Sequence, residues 1–102
     1  MHATIRRYEG VAPERTAELT RKVNETFVPQ LRKLQGFKGY YLIEAGNGVF
    51  SSLALFEDAA QLDESTKLAT AWISEEKLEN VLPSPPKITS GKIVAHSNGV
   101  AV

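Results

Sequence analysis

A chain of 102 residues suits one domain, able to bury roughly two-thirds of the surface its unfolded form exposes, so residues 1–102 are read as a single unit. It contains no cysteine, which excludes disulfides, thiolate nucleophiles and cysteine-based metal sites. Twelve basic residues balance twelve acidic ones without a long basic run, which argues against an electrostatic grip on nucleic acid or on an anionic membrane.

The first predicted element is a strand over His2 to Glu9, with Ile5 on one side and Thr4, Arg6 and Tyr8 on the other. Gly10 and the Val11-Ala12-Pro13 step break it, and Pro13-Glu14 opens a helix, because proline's missing N–H is harmless at the first helical position. Leu19, Val23, Phe27, Leu31 and Leu34 recur at helical spacing as one apolar stripe. Pro29 falls inside that stripe, so a kink or a break is expected near Thr26 to Pro29, with Gly36 ending the helix.

Gly36 to Asp58 reads as a hairpin folded back at Asn47-Gly48, where Gly46-Asn47-Gly48 supplies the positive φ angles of a tight turn. Its arms are apolar on successive positions, Tyr40 to Ile43 and Leu53 to Phe56, so both faces of the hairpin need cover. Asp58 is a natural N-cap, with Gln61 placed to complete a capping box. Leu62, Thr66, Ala69, Trp72 and Ile73 share one face of the helix that follows. Leu78, Val81 and Leu82 continue the apolar positions, and Ser74-Glu75-Glu76 is able to recap a second helix meeting the first near Ile73. Pro83 to Pro86 reads as an extended connector, Lys87 to Ser97 as the last strand, and Asn98 to Val102 as a loose tail.

The order strand, helix, strand, strand, helix, strand predicts an α+β fold, the ferredoxin-like βαββαβ antiparallel sheet with both helices on one face. Two helices cover only one apolar face. Tyr41, Ile43, Leu53 and Leu55 form one set in the hairpin and Tyr40, Leu42, Phe50 and Phe56 the other, so a homodimer packed sheet to sheet is expected. No apolar run approaches the ~20 residues of a membrane span, and Met1 to Thr4 lacks the core of a secretory signal, so a cytoplasmic protein is expected.

The segment Leu31-Arg32-Lys33-Leu34-Gln35-Gly36-Phe37-Lys38-Gly39-Tyr40, the segment Leu53-Ala54-Leu55-Phe56-Glu57-Asp58, and Trp72 in the second helical region resemble the dimeric α+β barrel superfamily, and within it small antibiotic-biosynthesis-monooxygenase-like proteins. The resemblance spans roughly residues 2 to 97. It implies two subunits closing a barrel, with a pocket between sheet and helices for an aromatic substrate or haem, and activities ranging from cofactor-independent oxygenases and isomerases to haem degradation. Trp72 looks like the tryptophan that several family oxygenases pair with a first-strand asparagine and a histidine further along the second helical region. Here His2 to Glu9 holds no asparagine and Glu57 to Pro83 no histidine, which argues against haem degradation.

Two readings of function follow. In the first, a cofactor-independent oxygenase or isomerase acts on a small aromatic or polyketide-like molecule. Trp72 and His96 are its candidate catalytic residues, His96 as general acid or base; Arg6 and Arg7, on opposite sides of the first strand, and Tyr40 and Tyr41 are its candidate substrate-binding residues. Packing, salt bridges or solvation are the competing roles for each. In the second, the chain is a non-catalytic dimeric module that binds a small ligand or supports a partner. There is no P-loop, no dinucleotide glycine pattern and no histidine pair at metal spacing, so no cofactor and no metal are expected.

Overall fold

The computed structural model describes residues 1–97; the tail read as loose lies outside them. Aromatic and β-branched runs form strands β1 (His2–Tyr8), β2 (Phe37–Gly46) and β3 (Val49–Phe56), and a short polar strand, β4 (Lys87–Lys92), closes the sheet. All neighbours are antiparallel in the order β2-β3-β1-β4, the arrangement expected of a ferredoxin-like βαββαβ chain. Asn47 and Gly48 both take positive φ at the β2–β3 turn. A Cβ on Gly48 would sit 2.7 Å from the Val11 carbonyl oxygen, and Val11 N–H donates to the Gly48 carbonyl at 3.1 Å. Glycine is therefore required by the close approach as well as by the turn.

The first helical run spans residues 13–32. A 3-10 turn, Pro13–Arg15, leads into α1 (Thr16–Lys22), a π turn over Val23–Phe27, and α2 (Val28–Arg32). The irregularity expected around Pro29 takes this π form. Pro29 has no N–H to donate to the Glu25 carbonyl, and just before it Val28 N–H reaches back five residues to Val23 at the wide turn. The chain therefore stays helical through the proline, and Leu19, Val23, Phe27 and Leu31 are all buried on one side.

Helix α3 (Ala59–Glu75) begins at the predicted capping box: Asp58 Oδ1 accepts from Gln61 N–H at 2.9 Å, and Gln61 Oε1 accepts from Asp58 N–H. The second helix considered after Ile73 does not form. Lys77 turns left-handed at φ 56°, its N–H bonds the Ser74 carbonyl, and Leu78 N–H bonds the Ile73 carbonyl at 2.9 Å. These two bonds are a Schellman stop, here with lysine where glycine is usual. The apolar period continues past it because Leu78 and Val81 plug into the core from a run of turns, both fully buried.

Strand parity divides the sheet. Thr4, Arg6 and Tyr8 of β1 and Phe50, Ser52, Ala54 and Phe56 of β3 lie buried beneath the helices. On the other face Ile5 sits opposite Leu53, which in turn pairs with Tyr41; Ile5, Tyr41 and Ile43 are 45%, 59% and 54% exposed. Both hairpin sets are arranged as the alternation implied. The last strand is shorter than predicted: pairing with β1 ends at Lys92, one backbone bond from Ile93 to Met1 follows, and Val94 to Ser97 lie beyond the ladder. Among the described residues no helix is long and apolar enough to cross a membrane.

Two substitutions test the end of α3. Lys77→Gly is expected to raise stability by about 0.5–1 kcal/mol, since glycine takes a left-handed conformation without the steric cost lysine bears. Leu78→Ala is expected to lower it by about 2–5 kcal/mol, the cost of emptying a buried leucine site. Urea unfolding monitored by Trp72 fluorescence measures both.

Candidate functional site

The helix face of the sheet, the first helical run and α3 line a cavity of about 30 Å³, walled by Tyr8, Phe27, Tyr40, Phe50 and Trp72, with Arg6 among its lining residues. A larger groove of about 400 Å³ lies beside it and shares Val23, Tyr40, Leu42 and Phe50 with it, so these four side chains border both spaces. The inner volume suits one or two waters; an aromatic ring needs the shared wall to move or must lie in the groove.

Trp72 is held by a relay. Its Nε1–H donates to Thr26 Oγ1 at 2.7 Å, and the Thr26 hydroxyl donates to the Lys22 carbonyl at 2.8 Å. Phe27 stands 4.8 Å from the Trp72 ring and meets Tyr40 edge-on at 5.5 Å. The π turn thus presents both Thr26 and Phe27 to the tryptophan. Lys22 reaches the Glu76 carbonyl at 3.2 Å, tying α1 to the end of α3.

Arg6 is only 4% exposed. Its Nη2 donates to Thr66 Oγ1 at 2.7 Å. Among the described residues that is the one hydrogen-bond partner of the guanidinium, and no carboxylate lies within ion-pair distance of it. Burial pushes the Tyr40 phenol up to about 12, with the neighbouring Tyr8 adding to the effect and the Ser52 hydroxyl and Arg6 partly offsetting it. Burial also raises Tyr8, against the pull of Arg6. Both phenols stay protonated at neutral pH and serve as hydrogen-bond donors rather than bases.

The structure thus brings Arg6, Tyr40 and Trp72 together and sends the other three candidates elsewhere. Arg7 projects from the opposite sheet face and pairs with the exposed Glu9 at 3.2 Å. Tyr41 and His96 border an open depression of about 690 Å³ on that same face, beside Leu53 and Leu55. His96 was expected on the last strand; it lies past the strand's end and across the sheet from Trp72, because pairing stops at Lys92. Sequence reasoning did not single out Thr26, Ser52 or Thr66 as site residues. Ser52 alternates with Phe50 and Ala54, and Thr66 shares the Trp72 stripe, so their positions were readable although their partners were not. Among the described residues no group of three or more His, Cys, Asp or Glu is placed to hold a metal ion.

No protein-family model and no curated protein matches the sequence. Solved structures do match it over nearly their full lengths. A Nitrosomonas europaea protein of unknown function superposes with a TM-score of 0.76 at 20% identity, covering 98% of this chain and 95% of that one. A monooxygenase from the ActVA-Orf6 gene of Streptomyces coelicolor, in complex with nanaomycin D, gives 0.74 at 15% identity, covering 97% and 92%. The fold is that of the antibiotic-biosynthesis monooxygenase-like proteins. A variant of MhuD with two manganese protoporphyrin IX molecules bound per active site is similar as well, with a TM-score of 0.76 at 16% identity over 97% of this chain and all of that one.

Haem fits the residues here poorly. It needs an axial ligand such as His, Cys, Met or a tyrosinate, and the cavity is lined by none of the first three, while its two tyrosines are held in the protonated form.

The Tyr40 environment carries a sign that titration reads. The phenol's ordinary value is 10.0 and its folded value about 12. Below pH 10 it is protonated folded or unfolded; between 10 and 12 only the folded state keeps the proton, so stability is lost as pH rises through that window. Alkaline titration of tyrosinate absorbance is expected to show a step near pH 12 that Tyr40→Phe abolishes.

Proposed function

We propose that the protein is a cytoplasmic homodimer that binds a small aromatic, polyketide-like molecule between its sheet and helices and acts on it as a cofactor-independent oxygenase or isomerase. The observation that carries this reading is the buried Arg6 guanidinium in a cavity walled by Trp72, Phe27, Tyr8 and Tyr40. Apolar aromatic walls with a few fixed polar groups are the composition of a small-molecule site. A guanidinium in low-dielectric surroundings favours negative charge developing on a substrate oxygen, as enolisation or attack on dioxygen requires. Tyr40 and Tyr8, kept protonated by burial, are donors to the same oxygen, and Trp72 supplies a flat apolar wall. The nanaomycin D complex of a protein with this fold supports the choice of substrate class. His96 and Tyr41, on the other sheet face, take no part in that site.

The non-catalytic reading has its own support, because the inner cavity is small and neither carboxylate nor histidine lines it. Hydroxynaphthoquinols and hydroxyanthrones, presented in air to the purified protein, separate the two. Catalysis predicts ligand-induced quenching of Trp72 fluorescence together with dioxygen uptake or an isomerised product, and Trp72→Ala is expected to lower the rate at least tenfold. Quenching with no turnover of any compound leaves the binding module; no quenching at all removes the cavity from consideration.

The dimer rests on the uncovered face. Ile5, Tyr41 and Ile43, with Leu53 and Leu55 between them, form an apolar surface of the kind that soluble monomers rarely leave open. Light scattering coupled to size exclusion is expected to give twice the 11.2 kDa chain mass, and Ile43→Lys to shift the population to monomer. A wild-type monomer at every concentration rules the dimer out.

A further inference from the structure

We infer that the ligand of this cavity is captured as a preformed monoanion, an acidic enol or phenol that ionises near neutral pH, with its oxyanion on Arg6. The inference rests on the small-aromatic reading above and adds the charge state that the ligand must have.

Three observations lead to it. Arg6 as a residue is 4% exposed, and its guanidinium lines the cavity with one neutral hydrogen-bond partner, Thr66. A charge in that position costs several kcal/mol unless something compensates it, and Thr66 engages a single one of its five N–H donors. The facing groups supply no counter-charge. Ile88 on β4 and Ser52 on β3 flank Arg6 across the sheet, Tyr8 stands on its own strand, Tyr40 on β2, and Thr66 and Trp72 on α3; none is negative at neutral pH.

The second observation is the lack of a base. The residues lining the cavity include no Asp, Glu, His, Lys or Cys, and neither tyrosine loses its proton in the physiological range. An ordinary phenol whose hydroxyl enters the cavity finds no base on its walls, whereas one already ionised finds a cation without a counter-charge; the charged groups Arg32 and Glu44 line the outer groove, which holds the ring and not the oxyanion. The third is size: about 30 Å³ admits a single oxygen-sized head group in place of water. The groove that shares Tyr40 and Leu42 with the cavity has room for the ring behind it. Together these select molecules whose hydroxyl is acidified by conjugation to a carbonyl or similar group, and they select against simple phenols.

The test uses 4-nitrophenol, whose anion absorbs in the visible, and phenol as the partner that stays protonated at neutral pH. Titrated with pH in the presence of excess wild-type protein, the bound nitrophenol is expected to ionise at least one pH unit lower than in buffer, the shift an adjacent opposite charge produces. Phenol is expected to bind at least tenfold more weakly. Arg6→Met keeps the stem's volume without the charge and is expected to abolish the shift; thermal unfolding of the variant checks that it is folded. The wild-type titration alone decides the matter if that variant does not fold. An unchanged or raised ionisation pH, phenol bound as well as nitrophenol, or no binding of nitrophenol overturns the inference. The quinol and anthrone panel then separates the two failures: if those compounds still quench Trp72, the aromatic site stands without its anion preference, and if they do not, both fall.

Discussion

A buried indole N–H must find an acceptor, and much of this molecule is arranged around the one that Trp72 finds. Thr26 Oγ1 lies 2.7 Å from Trp72 Nε1, on a π turn that places Thr26 and Phe27 together against α3. In a low-dielectric interior an orphaned donor costs about 1–3 kcal/mol, so the bond ties the first helical run to α3 at this point. The same tie sets the aromatic wall, because Phe27 spans from Trp72 to Tyr40 on β2. A straight α-helix through residues 23–27 would place these two side chains differently, which connects Pro29, two residues past that turn, to the shape of a cavity that it does not line.

The sheet imposes the second constraint. Successive side chains of a strand alternate faces, so burying Tyr8 and Thr4 carries Arg6 beneath the helices with them and sends Ile5 and Arg7 the other way. The two arginines, adjacent in sequence, end in opposite electrostatic settings. Arg7 is solvated and paired with Glu9, and Arg6 is enclosed with a single neutral partner. A fold that needed β1 only for packing has no use for a guanidinium at that position, since an apolar residue there avoids the desolvation cost. The same charge moderates the titration of Tyr8 and Tyr40.

The architecture was legible in the chain because it follows from short-range rules. Asp58 and Gln61 specify a capping box within four residues, Asn47-Gly48 specifies the hairpin turn, and the two apolar sets of the hairpin specify a sheet that needs cover on both faces. The reading failed where one apolar period was compatible with two backbones. Leu78 and Val81 continue the helical stripe of α3, but Lys77 has turned the chain by then, and their burial comes from a run of turns. It failed again at His96, where apolar residues after Lys92 suggested a longer strand, although a strand ends where its partner does and β1 begins at His2.

The sequence by itself determined the element order, the antiparallel sheet, the cap and turn that bound its elements, and the division of each strand into two faces, since period and local hydrogen bonding depend on residues a few positions apart. Only the tertiary structure decided which candidate residues line one cavity. Arg6, Tyr40 and Trp72 lie on three elements far apart along the chain, and their meeting depends on strand order, on register and on the rotation of the helices against the sheet. Those quantities are set by packing and by contacts between distant elements such as the Trp72–Thr26 bond, none of which has a local signature.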